Sequence, residues 1–457
     1  MENIKLHIYS VNDFHGEIES LVWKDKADDS VLNNTGVKLF SFLKKVREEN
    51  ENAIILSVGD MFQVQPKISK DFNTLTSLLV REVGFDGMAI GNHEFDCLAN
   101  TEDYFSKLAS IVECPLICCN LYHGSVDKKA SGIVTSKIIN VSNIKLGLIG
   151  VVTPQCVDLC TKEELGDYII NHAKDDIKIE ILKLKSFGVN SIVLLAHMDI
   201  YYSEESNKIE GELLDILSEF DNTDIKLVLS GHSHQYINEN INGIPVVQAG
   251  AYGEALSYSK ISFDHMTNHA KIDKLEIIKI SELNNFEIHP KIEEITLRYL
   301  NENYVEKQLI TNLPLDMGPS NIHNTEWMKY VVEFIREYTL ADIAIINHKF
   351  FRKPLPVGEI YDQDILANIP FRNSLFSMKV SGNLLLEIFN NYGNDILRGA
   401  IFSEFSLKDI IIDKEYTLAT TDFIADGGDS FTLLKRGTQR NNHSIIIQDI
   451  IMDRLLN

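Results

Sequence analysis

Five short polar clusters in the first half of the chain contain the residue types that bind divalent metals and move protons. They are Asn12-Asp13-Phe14-His15, Gly59-Asp60, Gly91-Asn92-His93-Glu94-Phe95-Asp96, Ala196-His197-Met198-Asp199 and Gly231-His232-Ser233-His234. Their imidazoles, carboxylates and amide oxygen form a mixed nitrogen and oxygen set, which suits Mn, Fe, Zn or Co better than calcium. The clusters therefore predict a metal centre.

The number of donors indicates two metal ions rather than one. The predicted ligands are Asp13, His15, Asp60, Asn92, His197, His232 and His234. Two ions about 3.5–4 Å apart, bridged by a carboxylate and a hydroxide, clamp both oxygens of an in-line phosphoryl displacement. Asp60 is the natural bridging carboxylate, and the predicted reaction is hydrolysis of a phosphoester by a metal-activated hydroxide.

Each cluster follows the carboxyl end of a predicted strand. Short β-type runs alternate with helix-length segments, and the runs are 4–11, 53–58, 86–90, 145–152, 190–196, 226–230 and 244–248. Helices are predicted from Thr35 onward and over 71–83, where Gly84 ends the second helix. In α/β sheets the loops at the carboxyl ends of neighbouring strands converge on one crevice, so we expect the five clusters to meet there.

Taken singly, each cluster has an ordinary structural explanation, such as a turn at Gly59-Asp60 or a hydrogen-bonded histidine. The 91–96 segment is more specific, because a glycine turn is followed by a donor, a proton-transfer group and a carboxylate. Glu94, Asp199 and Lys349 are interpreted as solvated loop charges rather than site residues. The case for a metal centre depends on all five clusters sharing one topological position.

Composition limits the class of protein and of partner. The chain has 44% hydrophobic and 24% charged residues, as in ordinary globular proteins, and a net charge of -23. Duplex nucleic acid is held mainly by Lys and Arg, so it is not an expected partner. The first residues enter a strand without a signal-peptide pattern, and the sequence shows no membrane-spanning run. We therefore expect a cytoplasmic protein that acts on a small phosphate compound.

The length of 457 residues predicts more than one domain. We predict a first domain over 1–285, a helical connection or hinge over 286–320, and a smaller second α/β domain over 321–457. The second domain is expected to contain helices over 327–338 and 382–391 and strands over 342–346, 375–380 and 416–420.

These motifs resemble those of the calcineurin-like metallophosphoesterases and, among them, the 5′-nucleotidase family. The resemblance implies a four-layer αββα sandwich for the first domain. It implies one metal on Asp13, His15 and His234, with Asp60 between the two metals. It implies a second metal on Asn92, His197 and His232. The last ligand is often Gln in the family, and His234 is an equally suitable donor here.

The resemblance also assigns His93 and Asp96 as a catalytic dyad. Their residue types support this assignment, because Asp96 can accept a hydrogen bond from one imidazole nitrogen and fix the tautomer of the ring. The other nitrogen would then face the phosphate. His93 would stabilise the charge that develops during the reaction.

In the 5′-nucleotidase family the smaller domain binds the nucleoside between two aromatic rings. The positions here that match the family's motifs are Asn347, Arg352, Phe371, Phe423 and Asp429. A Gly-rich loop of the family reads His348-Lys349-Phe350-Phe351 in this chain, so the loop must take another conformation or narrow the pocket. Asp429 is the expected partner of a ribose hydroxyl.

The predicted function is a 5′-nucleotidase that removes phosphate from nucleoside monophosphates. The alternatives are a 2′,3′-cyclic nucleotide phosphodiesterase or a nucleotide-sugar or dinucleotide pyrophosphatase. A third alternative is an inactive nucleotide-binding or sensing protein, which the altered loop allows and the intact His93 and Asp96 oppose.

Overall fold

The chain folds into two units in the computed structural model of this protein. One unit comprises Met1–Val157 and Lys162–Tyr304, and the other comprises Asp158–Thr161 and Val305–Asn457. The structure describes residues 4–24, 30–63, 72–96, 101–141, 144–203, 206–263, 270–283, 286–313, 325–393, 400–403, 408 and 410–456.

The first unit is built from two large sheets. Its strands are β1 Ile4–Val11, β2 Ala53–Ser57, β3 Gly87–Ala89, β4 Leu116–Ile117, β5 Leu121–His123, β6 Ser125–Lys129, β7 Ile133–Val134, β8 Ser136–Val141, β9 Ile144–Val152, β10 Tyr168–Ile170, β11 Ser191–His197, β12 Tyr201–Tyr202, β13 Ile209–Glu210, β14 Leu227–Gly231, β15 Tyr236–Ile241, β16 Ile244–Ala249, β17 Ala255–Phe263 and β18 Ala270–Lys279. The first sheet has the order β18-β17-β1-β2-β3-β4-β7, and the second has the order β15-β16-β14-β11-β9-β8.

α-Helices alternate with these strands along the chain. They are α1 Thr35–Glu49, α2 Leu75–Val83, α3 Tyr104–Val112, α4 Cys156–Leu159, α5 Lys162–Leu165, α6 Ala173–Ser186, α7 Glu212–Leu217 and α8 Pro290–Asn303. Local sequence sets their ends. The Asn34 side chain accepts hydrogen bonds from the first turn of α1, and Gly84 ends α2 in a left-handed conformation with φ 74°.

The two sheets pack face to face through their apolar strands. Leu6 and Ile8 of β1 share one core with Leu148 of β9 and Leu195 of β11. Alternate residues of the second sheet point the other way, and there they pack against α6 and α7. On the side of the first sheet, α1 packs against β2, α2 and α8. The predicted α/β fold with a four-layer αββα sandwich is therefore confirmed.

The helix α8 belongs to the first unit, which differs from the predicted 286–320 connection. Its residues Ile292, Ile295 and Leu300 are buried, and the helix contacts α1 and α2. The charged residues that suggested a connection lie on the exposed face of α8. Its opposite, apolar face packs on the first unit. The division between units falls between Tyr304 and Val305, while 314–320 lie outside the described residues.

The second unit has its own sheet with helices on both faces. Its strands are β19 Leu309–Leu313, β20 Ile343–Asn347, β21 Gly358–Tyr361, β22 Ser374–Ser381, β23 Ala400–Phe402, β24 Glu415–Thr421 and β25 Thr438–Ile446, and its helices are α9 Thr325–Thr339, α10 Asp362–Asn368, α11 Gly382–Tyr392, α12 Asp422–Ala425 and α13 Ile447–Leu456. The main sheet has the order β23-β20-β24-β22-β25.

Two cores lie on opposite faces of this sheet. Ala344 and Ile346 of β20 pack with α9, α10 and α13, whereas Ile343 and Ile345 pack with α11 and α12. Within the described ranges, none of the helices is both long enough and apolar enough to cross a membrane.

Candidate metal centre

The predicted ligands lie where five strands of the first unit end. Asp13 follows β1, Asp60 follows β2 and Asn92 follows β3, and these three strands are parallel neighbours in the first sheet. His197 is the last residue of β11 and His232 follows β14, which are parallel neighbours in the second sheet. Because the sheets pack face to face, the strand ends meet at one edge of the sandwich.

Five of the ligand positions have a left-handed backbone, which side chains other than glycine rarely adopt. These residues are Asp13 (φ 50°), His15 (φ 53°), Asp60 (φ 51°), His232 (φ 90°) and His234 (φ 58°). Such conformations cost about 1–3 kcal/mol each and concentrate at functional sites. The fold therefore imposes these side-chain directions against the local preference of the chain.

One group of donors comprises Asp13, His15 and His234. His15 Nε2 lies 2.9 Å from His234 Nε2, and His234 Nε2 lies 3.6 Å from Asp13 Oδ1. The ligand atoms of the three residues all lie within 4.8 Å of one another. Asp13 and His15 are buried, while His234 is partly exposed. These three residues are the set that the family resemblance implied for one ion.

A second group surrounds Asp60. Its Oδ2 lies 3.2 Å from His197 Nε2 and 3.9 Å from His15 Nε2, so this carboxylate stands between the two groups. His232 joins Asp60 and His197, and Asn92 Oδ1 lies 3.3 Å from His197 Nε2. His197 Nδ1 lies 2.8 Å from the Val58 carbonyl oxygen, which can only accept. That bond leaves Nε2 of His197 to face the cluster.

The charges in this cluster suit a bound cation. Asp13 and Asp60 are 0% and 1% exposed, and in the described part of the chain their ion pairs involve imidazoles only. Burial raises the pKa of Asp13 to about 7. Burial by itself lowers the pKa of His197, yet the negative charges of Asp60 and Asp13 raise that pKa to about 10. Divalent ions would balance the buried negative charges of Asp13 and Asp60. The imidazoles would then be neutral, as metal-binding histidines are.

His93 and Asp96 lie beside the two groups. His93 Nδ1 is 2.9 Å from Asp96 Oδ2, and the ring centroids of His93 and His15 are 4.9 Å apart. The His93 backbone N–H donates to Asp60 Oδ1 at 2.8 Å. The structure thus places the predicted dyad next to the bridging carboxylate, with one imidazole nitrogen held by Asp96.

Three further residues support the ligands and were not predicted as site residues. Asn12 donates to Asp13 Oδ2 and to the Gly250 carbonyl, both at 2.7 Å. The Tyr252 ring lies 5.4 Å from the rings of both His15 and His234. Glu94 is 0% exposed, so its interpretation as a solvated loop charge is wrong. The sequence signal for Asn12 and Glu94 was their place inside the polar clusters.

Asp199 and Lys349 were also interpreted as loop charges. The side chain of Asp199 is 29% exposed, and its Oδ1 lies 3.8 Å from His232 Nε2. Lys349 is exposed, but its Nζ lies 3.7 Å from Oδ1 of Asp429, one of the predicted substrate residues.

In the second unit the predicted substrate residues form two sets. Asn347 is buried at the end of β20, and its Nδ2 donates to Asp429 Oδ2 at 2.5 Å. The Arg352 guanidinium lies 5.1 Å from the centroid of the Phe371 ring. Phe371 packs against the core on the α9 side of the sheet, whereas Phe423 packs against the core on the α11 side. Asp429 has a positive φ of 50°.

Comparison with protein families identifies the architecture that carries this centre. The family model for calcineurin-like phosphoesterases matches residues 6–236, which include every predicted metal ligand. The chain belongs to the calcineurin-like phosphoesterase family. In this phosphoesterase a second model, the 5′-nucleotidase C-terminal domain, matches residues 308–404. The predicted family resemblance is therefore confirmed.

Individual relatives agree with this assignment. The phosphoesterase is 26% identical to Endonuclease YhcR of Bacillus subtilis over 85% of its own length and 33% of that protein. It is 23% identical to a 5′-nucleotidase of Diplobatis ommata over 94% of its length and 84% of the relative. A 5′-nucleotidase precursor from Thermus thermophilus shares the fold with a TM-score of 0.75 and 18% identity, covering 99% and 96% of the two chains.

The chain spans only part of the length of some of these relatives. It spans a third of Endonuclease YhcR, and it covers 65% of the cell wall protein Lmo0130 of Listeria monocytogenes, to which it is 24% identical.

Proposed function

We propose that this protein is a two-metal phosphoester hydrolase that removes phosphate from nucleoside 5′-monophosphates. The observation that carries the proposal is the convergence of seven donor side chains, with the buried carboxylate of Asp60 between the other six and its Oδ2 3.2 Å from His197 and 3.9 Å from His15. Membership of a phosphoesterase family and the match to a 5′-nucleotidase C-terminal domain support it.

The two groups of donors would each hold one divalent ion. Asp13, His15 and His234 would bind the first ion, Asn92, His197 and His232 would bind the second, and Asp60 would contact both. When bound, such ions polarise phosphoryl oxygens and lower the pKa of a coordinated water. The donor set suits Mn, Zn, Fe or Co.

His93 would contact the phosphoryl group of the substrate. Asp96 accepts a hydrogen bond from its Nδ1 and so fixes the orientation of the ring. The Nε2 atom can then donate a proton toward the charge that develops on the phosphoryl and leaving oxygens. In the second unit, Phe371 and Phe423 would stack on the base, and Asn347, Arg352 and Asp429 would hold the polar groups of the nucleoside.

The chemistry is tested by phosphate release from an aryl phosphate and from a panel of nucleotides in the presence of Mn²⁺. We expect His93→Ala to lower kcat by about 10²–10⁴-fold, the usual contribution of a general acid. His7, which pairs with Tyr258 on the outer part of the first sheet, supplies the matched control His7→Ala, with unchanged kcat. Wild-type protein that releases no phosphate with any divalent metal would support the inactive binding or sensing protein instead.

The role of the second unit is tested with the two phenylalanines. We expect Phe371→Ala and Phe423→Ala to raise KM for nucleotides and to leave aryl phosphate hydrolysis unchanged, because a stacked base contributes about 1–3 kcal/mol. Phe389, whose ring stacks on Phe402 in the same unit, is the control position. Equal losses for both substrates would contradict a base-binding role.

One observation favours a substrate with more negative charge near the ribose. Asn347 and Lys349 approach the two oxygens of Asp429, so this carboxylate is partly neutralised where a ribose hydroxyl was expected. A lysine at that point attracts phosphate on the ribose side or in a pyrophosphate link. A 2′,3′-cyclic nucleotide or a dinucleotide is therefore the second candidate, and Lys349→Gly should shift kcat/KM toward the monophosphate.

A further inference from the structure

Glu94 is a fully buried carboxylate that the proposed mechanism does not use. Its exposure is 0%, and its two oxygens accept hydrogen bonds from four backbone N–H groups. The donors are Gly91 at 2.6 Å, Met61 at 2.8 Å, Asp60 at 2.9 Å and Phe62 at 3.4 Å. Three of these donors belong to the loop after β2 and one to the turn after β3, so Glu94 fastens two ligand-bearing loops to each other.

The bond to Asp60 determines where the bridging carboxylate points. Asp60 has a left-handed backbone with φ 51°, a conformation that its own side chain disfavours. The Glu94 bonds on either side of this residue fix the peptide in that conformation. With the backbone so fixed, Asp60 Oδ1 accepts from the His93 N–H and Oδ2 is directed at His197.

We propose that Glu94 is a positioning residue for the metal centre, which holds Asp60 between the two groups of ligands through the backbone N–H groups of Asp60, Met61 and Gly91. This inference rests on the proposed two-metal function. Glu94 touches neither the substrate nor a metal in this role. Supporting residues that orient ligands in this way typically contribute 10–100-fold to metal affinity or activity.

The test is Mn²⁺ binding by the intact protein, measured by titration calorimetry on wild type and on Glu94→Gln. Glutamine has the same shape, but its amide places a donor group among four N–H donors, so some of the bonds to the loops are lost. We expect the Kd for Mn²⁺ to rise about 10–100-fold. The kcat at saturating Mn²⁺ should fall as well, because Asp60 is misplaced even when metal is present.

Glu19 provides a matched control for the loss of a buried carboxylate. It is 2% exposed and accepts hydrogen bonds from Thr76 N at 2.8 Å, Leu75 N at 3.1 Å and Thr76 Oγ1 at 2.7 Å at the start of α2. Glu19→Gln should lower stability to a similar extent as Glu94→Gln. Its Mn²⁺ affinity should equal that of wild type.

The outcomes separate the positioning role from the proposed function. In one outcome, wild type binds two equivalents of Mn²⁺ and Glu94→Gln binds Mn²⁺ with the wild-type Kd. That result would overturn the positioning role of Glu94 and leave the proposed function intact. Wild type that binds no divalent metal would overturn the proposed function itself. If Glu94→Gln does not fold, Glu94→Asp keeps the charge and shortens the reach, and a wild-type Kd in that variant also overturns the positioning role.

Discussion

The carboxylate of Asp96 orients the imidazole of His93, the proposed catalytic group. Asp96 Oδ2 is 2.9 Å from His93 Nδ1, and the centroid of the His93 ring also lies 4.9 Å from that of His15. An asparagine in place of Asp96 keeps the size of the side chain and removes its charge. The orientation of His93 and the stability of its protonated form both weaken as a result.

We therefore expect Asp96→Asn to reduce kcat, by less than His93→Ala does, while KM stays near the wild-type value. Steady-state kinetics with an aryl phosphate at saturating Mn²⁺ measures both constants. Mn²⁺ affinity should be unchanged, because Asp96 is outside the two groups of ligands. A kcat equal to that of wild type would show that Asp96 has no part in turnover.

At the scale of elements, the turn after β3 must approach the loop after β2 closely. A Cβ atom on Gly91 would lie 2.2 Å from Asp60 Oδ1 and 2.6 Å from Asp60 N. Atoms cannot share that space, so any side chain at position 91 must displace Asp60. The turn and the Asp60 carboxylate therefore form one structural element.

Gly91→Ala is expected to abolish tight Mn²⁺ binding and to lower activity as strongly as Asp60→Ala. Gly124→Ala is the control, because a Cβ there meets nothing within 4 Å, although its φ of 75° costs about 1–2 kcal/mol for a non-glycine residue. Calorimetric titration with Mn²⁺ measures the metal affinity of the two variants, and thermal unfolding measures their stability. Normal Mn²⁺ affinity in Gly91→Ala would contradict the close approach of the two loops.

The strand ends that carry the ligands could be predicted from the sequence, because apolar runs of the first unit end sharply at Asp13, Asp60, Asn92 and His197. The burial of Glu94 could not be, since it depends on how the loop after β2 folds over the turn after β3. The sequence did not indicate β25 either. This strand lies at the edge of its sheet, and its residues from Thr438 to Asn442 are all exposed, so they show no alternation of apolar and polar residues. Tyr252 reaches the site only through the packing of distant strands.

At the scale of the whole molecule, all the proposed metal ligands lie in the first unit. Metal binding stabilises only the structure that binds it, by about 2.7 kcal/mol when the free metal is at 100 times its Kd. The second unit has separate cores on the two faces of its own sheet. Metal should therefore affect the stability of the two units unequally.

In differential scanning calorimetry we expect Mn²⁺ to raise the Tm of the transition that belongs to the first unit and to leave the other unchanged. A chelator should reverse the shift. Asp60→Ala, which lacks the carboxylate common to both groups, should show little shift at the same Mn²⁺ concentration. A shift of equal size in Asp60→Ala would mean that Mn²⁺ binds elsewhere.

The left-handed backbone at five ligand positions lowers the stability of the fold. The side chains at the same positions are needed for the proposed activity. Glycine at Asp13, His15, Asp60, His232 or His234 would relieve about 1–2 kcal/mol of strain at each position and would remove a ligand at the same time. Substitutions chosen for thermal stability alone would therefore remove the proposed ligands. With Asp and His at all five positions, the chain gives up stability in order to carry the side chains of the proposed metal centre.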